Sequence, residues 1–219
     1  PILDFGEMPL PNRLPLLTDP PDHLYPLDLF LCRACGLLQL GHVAPADEMF
    51  RDYAYVPSTS GVLRQHFGDL ADEIARREAL APGDLVVDIG SNDGLLLGYF
   101  KQRHGARVLG IDPAVNLAPL AEARGVPTET AFFDHDVGLR RVRTARVVTA
   151  TNCLAHTPTP RSFLRGVAAM LSPDGVFVAE FPYVWRLIDG CLWDTVYHEH
   201  QSYLGLGALV AAMPELGLY

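Results

Sequence analysis

Apolar positions change their spacing along the chain, and the change divides it. From about residue 61, Leu63, Phe67, Leu70 and Ile74 recur at helical spacing with charges between them, which predicts an amphipathic helix. A turn, APGD, follows at 81–84. Beyond it, short apolar runs do not alternate with polar residues: LVVDI (85–89), RVLGI (107–111), VPTET (126–130), ARVVTA (145–150) and GVFVAEF (175–181). Helical stretches at 95–103, 116–124 and 161–171 separate them. Non-alternating strands joined by helices predict a parallel sheet covered on both faces, an α/β Rossmann-like fold. The loops after residues 89, 111 and 151 should then open on one edge, where such sheets bind ligands. Residues 1–31 are rich in proline and poor in periodicity, so turns and extended pieces with little regular structure are expected there. The change of style places a small N-terminal domain at 1–60 and the α/β domain at 61–219.

Composition narrows the function classes. A chain of 219 residues that is 49% hydrophobic and 20% charged can bury a core without disulfide support. A net charge of −9 argues against a nucleic-acid partner, which would need a basic face. Four cysteines make no disulfide framework, so a reducing cytoplasm is the expected location. No apolar run approaches the ~20 residues of a membrane span, so no membrane partner is expected. A monomer is expected.

Two local patterns point to a nucleotide-like cofactor. The first strand ends in VDIGSNDG (87–94), where Gly90 and Gly94 allow a tight turn and close approach of a ligand. A dinucleotide site would show G-x-G-x-x-G; this turn is G-x-x-x-G, with Asp88 two residues before its first glycine. The second strand ends in Gly110-Ile111-Asp112-Pro113, and an acid there can accept hydrogen bonds from a ribose diol. In this order and spacing the two motifs look like the cofactor site of S-adenosylmethionine (SAM)-dependent methyltransferases.

A third pattern concentrates proton-transfer groups. DTVYHEHQSY (194–203) holds two histidines and a glutamate between tyrosines. The metalloprotease signature H-E-x-x-H needs histidines at i and i+4, so that reading fails on spacing. On an extended stretch His198 and His200 would share a side about 7 Å apart, with Glu199 opposite. His156, after the fourth strand, could donate a hydrogen bond to developing negative charge or bind substrate.

VVDIGSNDG, VLGIDPAVN, TNCLAHTPTPRSFLRGV, DGVFVAEFPY and DTVYHEHQSYLGLGALV resemble consecutive motifs of the SAM-dependent sugar C-methyltransferases of antibiotic pathways. MPLPN, YPLDLFLCRACGLLQL and FRDYAYVPSTS resemble that family's N-terminal zinc-binding region. The resemblance implies a class I methyltransferase sheet, SAM as cofactor, and a nucleotide-linked keto-deoxysugar as substrate. His200 would be the base that forms the enolate, with Tyr197 and Glu199 positioning substrate and imidazole. Around SAM it implies Asp88, Gly90, Asn92, Gly94, Asp112 and Pro113, with Phe133 at the adenine pocket and Asn152 near the methionine part. Tyr53, Tyr55 and Ser58 lie in a loop that could cover the site. An O- or N-methyltransferase, or a non-catalytic zinc-stabilised module on a degenerate fold, are the rival readings.

Cys32-x-x-Cys35-Gly is half of a structural zinc site, which normally takes four ligands. The family's second pair would lie before Pro1. His23 or His42 could complete a site only at an uncommon spacing. Cys153 and Cys191 are expected to be buried, and His66, His104 and His135 solvated. Both ends look cut, and the sheet is expected to lack its last two strands.

Overall fold

A computed structural model describes residues 1–219. The proline-rich N-terminus, contrary to expectation, forms a sheet. Strands β1 (Leu3–Pro9), β2 (Leu24–Leu31) and β3 (Leu38–Leu40) pair antiparallel, followed by a short helix α1 (Ala46–Phe50). The missed signal is a period of two: Tyr25, Leu27 and Leu29 are buried while Leu24 and Pro26 between and beside them are exposed. Pro26 is tolerated because the β1–β2 register shifts between Asp4 and Glu7, the residue facing Pro26. Gly6 takes φ 76° inside that bulge.

Helix α2 (Gly61–Arg77) is capped by Ser60, whose hydroxyl accepts from the Leu63 N–H. The α/β layer then runs β4 (Leu85–Ile89), α3 (Leu95–His104), β5 (Arg107–Asp112), α4 (Ala118–Ala123), β6 (Thr128–Thr130), α5 (His135–Leu139), β7 (Ala145–Thr151), α6 (Pro160–Met170) and β8 (Leu171–Glu180). Apart from α5, which the sequence reading did not include, these elements match it to within a few residues, and all five strands are parallel in the order β6-β5-β4-β7-β8. Neighbouring residues of one strand feed opposite layers. Val86 and Val147 pack with Phe67, Leu97 and Phe100 on one face; Val87 and Val148 pack with Phe163, Val167 and Met170 on the other. That two-sided burial explains why the strands read as unbroken apolar runs.

The C-terminal segment adds α7 (Val184–Asp189), β9 (Ser202–Tyr203) and α8 (Leu206–Ala212). Strand β9 does not join the large sheet. It pairs with β3, Leu38 opposite Tyr203 and Gln39 opposite Ser202. Leu27, Leu29, Leu38 and Leu40 accordingly share a core with Val184, Leu187, Val196 and Tyr203. The sequence change near residue 60 is therefore no break in space, because a strand just after His200 completes the N-terminal sheet. No helix is long and apolar enough to cross a membrane.

Candidate active site

The turn after β4 is built from left-handed residues: Gly90 at φ 73°, Asn92 at 50° and Gly94 at 72°. A side chain at Gly90 would sit 2.8 Å from Cys153 Cβ and Sγ, so the turn presses against the segment after β7. Gly94 differs from expectation. It lies off the cavity and opens α3, and a side chain there would sit 3.1–3.2 Å from Ala121 and Val126, so helix packing requires it.

Asp112 locks this turn to β5. The Asn92 N–H donates to its Oδ2 and the Ala114 N–H to its Oδ1, each at 2.8 Å. Each oxygen keeps a lone pair, which suits it to accept from two neighbouring hydroxyls. Burial raises its pKa above the ordinary carboxylate range, and the two N–H donors oppose that shift. Asp88, one strand over, is fully enclosed; it accepts from Thr149 Oγ1 at 2.6 Å, and burial pushes it up to about 7.

Asp88, Gly90, Asn92, Asp112, Pro113, Phe133, Asn152, His156, Tyr197, Glu199 and His200 all line one cavity of about 650 Å³. Phe133 meets Phe163 edge to face at 5.0 Å and forms an apolar wall. Asn152, at φ 51°, donates through its N–H to the Glu180 carbonyl at 2.7 Å. Tyr53, Tyr55 and Pro57 close the cavity from outside, and the Asn92 amide donates to the Tyr55 carbonyl at 2.9 Å. The donor set fits SAM: paired acceptors at Asp112, a glycine turn opening a helix, and an apolar wall.

The YHEH stretch is a tight turn, not an extended strand, with the His200 N–H bonded to the Tyr197 carbonyl at 3.1 Å. This reverses the expected grouping. Glu199 and His200 enter the cavity together, while His198 turns away and bonds through Nε2 to the Tyr25 carbonyl at 3.3 Å. A turn rotates successive side chains by far less than the half-turn of a strand, so alternate residues lose their common face.

His200 is fixed at its other nitrogen. Nδ1 lies 2.8 Å from the Thr195 carbonyl, which can only accept, so Nδ1 carries the proton and Nε2 the lone pair. Nε2 faces the Tyr197 hydroxyl at 3.2 Å. Burial holds His200 below the ordinary histidine range and pushes Tyr197 up to about 12, so the ring is neutral and the phenol protonated near pH 7. His156 stacks on Phe50 at 5.5 Å and lies 5.2 Å from the His200 ring. Burial, with His200 beside it, lowers it to about 3; it is a neutral partner of the site, not a surface histidine. Glu199 does not touch the His200 imidazole. Its Oε1 accepts from Asn12 Nδ2 at 2.6 Å and its Oε2 from the Tyr53 hydroxyl at 2.9 Å.

Cys32 and Cys35 sit in a knuckle between β2 and β3. Backbone N–H groups of Cys35 and Ala34 aim at Cys32 and hold its thiol below the ordinary range. This cradle suits a metal thiolate, but no three His, Cys, Asp or Glu side chains converge in the chain. His23 and His42 flank Tyr25 instead. The residues present supply two of zinc's four ligands and do not complete a site.

Other expectations need correcting. Cys191 is exposed rather than buried, while His66, exposed as expected, pairs with Glu180 at 2.6 Å and the half-buried His104 pairs with Asp72 at 2.8 Å. Cys153 is half-buried and lines the cavity. Sequence reasoning missed Asn12 and Phe50 as parts of the site. Both lie in stretches read only as part of the N-terminal region, MPLPN and FRDYAYVPSTS, and Asn12 meets Glu199 across 187 residues of chain.

Comparison with known proteins gives the family and the fold. Residues 1–50 match a family described as "Putative zinc binding domain", and residues 62–219 one described as "Methyltransferase domain". Over 224 aligned positions the chain is 43% identical to C-methyltransferase NovU of Streptomyces niveus, covering 99% of this chain and 53% of that protein. It is 32% identical to the ubiquinone biosynthesis O-methyltransferase of Xanthomonas campestris pv. campestris over 109 residues, 48% of this chain and 45% of that one. The chain thus spans about half the length of the curated relatives it matches. Among solved structures, phosphoethanolamine N-methyltransferase 2 of Haemonchus contortus, in complex with SAM, superposes with a TM-score of 0.51. It is 15% identical, over 68% of this chain and 36% of that one. The YcgJ protein of Bacillus subtilis gives 0.53 at 17% identity, over 69% and 68%. At such identities these structures speak for the fold alone.

Proposed function

The chain belongs to the methyltransferase-domain family, and from that premise we propose that it transfers a methyl group from SAM to carbon beside a ketone. The substrate class we assign is a nucleotide-linked keto-deoxysugar of an antibiotic pathway. The observation that carries the reading is the His200 tautomer. Its Nε2, which accepts from the Tyr197 hydroxyl at rest, belongs to a ring lining the same cavity as Asp112 and the glycine turn. Carbon beside a ketone becomes nucleophilic only once it loses a proton, and such a base can take it. The C-methyltransferase relative supports the choice.

SAM, when bound, supplies a methyl group on a positively charged sulfur. Asp112 would hold its ribose hydroxyls, Phe133 its adenine, and Asn152 its methionine part. On the substrate side, His200 Nε2 takes the proton from the carbon next to the ketone. The C–H electron pair passes into the enolate, and negative charge gathers on the carbonyl oxygen. Tyr197, kept protonated, and the neutral His156 are the donors placed to receive that charge. The enolate carbon so formed is the nucleophile to which the sulfonium would give up its methyl, the S–CH3 bond breaking to leave a neutral thioether, and His200 is left as the imidazolium. The Cys32–Cys35 knuckle would hold zinc only together with two further ligands.

The test is where the methyl group ends. With ¹³C-methyl SAM and a keto-deoxysugar nucleotide, the product should show the label on carbon, as a C–CH3 signal stable to acid. An O–CH3 or N–CH3 product would replace this reading with the rival.

The pH dependence follows from His200. Only the neutral ring can accept the proton, and its pKa lies below the usual ~6.5. kcat/KM should therefore stay level above pH 6.5 and fall only below it, as His200 becomes protonated. A limb that rises with pH well above 6.5 would mean that another group is the base.

A further inference from the structure

Resting on the reading above, we propose that Asn12 is a positioning residue of the active centre. Its amide holds Glu199 as an ionised, cavity-facing acceptor for a donor group of the substrate, a hydroxyl or an ammonium beside the reacting carbon. Glu199 is almost completely enclosed yet lines the cavity. Both of its oxygens are claimed by donors, Asn12 Nδ2 at 2.6 Å and the Tyr53 hydroxyl at 2.9 Å, and each oxygen retains a lone pair. No cation pairs with it. A buried carboxylate with only neutral donors depends on them for its charge.

The geometry around Asn12 is built for this contact. Asn12 holds φ 60°, a left-handed conformation that asparagine adopts more readily than most residues. It lies in the loop between β1 and β2, so the N-terminal sheet reaches over to the catalytic turn. Two further ties hold that turn to the same sheet: His198 on the Tyr25 carbonyl, and β9 on β3. The titratable groups facing Glu199 are Tyr53 and Tyr197, with Asp112 beyond Tyr53. Burial raises the Glu199 pKa, and the Tyr53 and Asn12 hydrogen bonds lower it.

Asn12→Gly keeps the left-handed backbone and deletes only the amide. Asn12→Asp keeps size and backbone preference but sets a second carboxyl against Glu199, and two carboxylates at that distance share a proton. The protein is labelled with ¹³C-carboxyl glutamate, and the Glu199 signal is identified by its loss in Glu199→Gln. Its titration midpoint should move upward in both Asn12 variants, by about one pH unit or more in Asn12→Asp. KM for the sugar should rise ~10-fold, the loss of a hydrogen bond to a charged group, and the SAM Kd should stay within about twofold. An unmoved carboxyl midpoint overturns the proposal. So does a moved midpoint with an unmoved KM for the sugar, since Glu199 would then be structural. Failure of the functional reading shows separately, as absence of methyl transfer by the unsubstituted protein, while the carboxyl titration still reports on Asn12.

Discussion

His200→Ala is expected to lower methyl transfer by ~10²–10⁴-fold, the usual loss on removing a general base, while SAM affinity stays within a few fold of the parent. The separation follows from where each group is anchored. SAM's side of the cavity is framed by Asp112, Gly90 and Asn92, tied together through backbone N–H bonds of the β4 and β5 ends. His200 hangs from a different element, the turn after α7, and is oriented by the Thr195 carbonyl. Removing the ring deletes the lone pair at Nε2 and leaves the Asp112 bonds in place. His198→Ala should affect the reaction less, because that ring points at the Tyr25 carbonyl and never reaches the cavity. Its expected penalty is in stability, through a weaker tie between turn and sheet. Isothermal titration with SAM and initial-rate measurements on the two variants check both statements.

Asp112→Ala should weaken SAM binding by roughly 1.5–3 kcal/mol, or about 10- to 150-fold, the range for a hydrogen bond to a charged group. Two effects act in the same direction. The paired acceptors for the ribose hydroxyls disappear, and the Asn92 N–H loses the partner that holds the glycine turn in shape. Asn92 sits at φ 50°, a conformation an unsupported residue leaves easily. Unchanged affinity in this variant would place the ribose elsewhere. A thermal melt on the same sample separates loss of binding from loss of fold.

The large sheet was legible because its chemistry is local. Five apolar runs bounded by turns, with Gly90 and Asp112 at strand ends, need no long-range knowledge. The cofactor side of the cavity follows from the same strand ends. The N-terminal sheet was not legible in the same way, because its prolines outweighed the alternation at Tyr25, Leu27 and Leu29, and its fourth strand comes from residues 202–203. The catalytic side was legible in composition but not in geometry. Tyr197, Glu199 and His200 were singled out as a cluster, yet an extended chain would have paired His198 with His200. The backbone bond from His200 to Tyr197 makes a turn that pairs Glu199 with His200 instead. Phe50 and Asn12 stand in stretches assigned to the N-terminal region; their place in the site exists only once α1 and the β1–β2 loop fold over the turn. The knuckle at Cys32 is readable as a metal half-site from spacing, and its N–H cradle adds the reason those thiols favour a metal.

The central claim is that His200 removes the proton from carbon before the methyl group arrives, and exchange without methyl transfer isolates that step. The keto-deoxysugar nucleotide is incubated in D2O with the protein and S-adenosylhomocysteine, which fills the cofactor side but carries no methyl group, and the α-carbon signal is followed by proton NMR. The expected result is enzyme-dependent loss of the α-proton signal, slowed at least ~100-fold in His200→Ala. Exchange at the parent rate in His200→Ala would contradict the account and assign the base to another residue, with His156 the first to test.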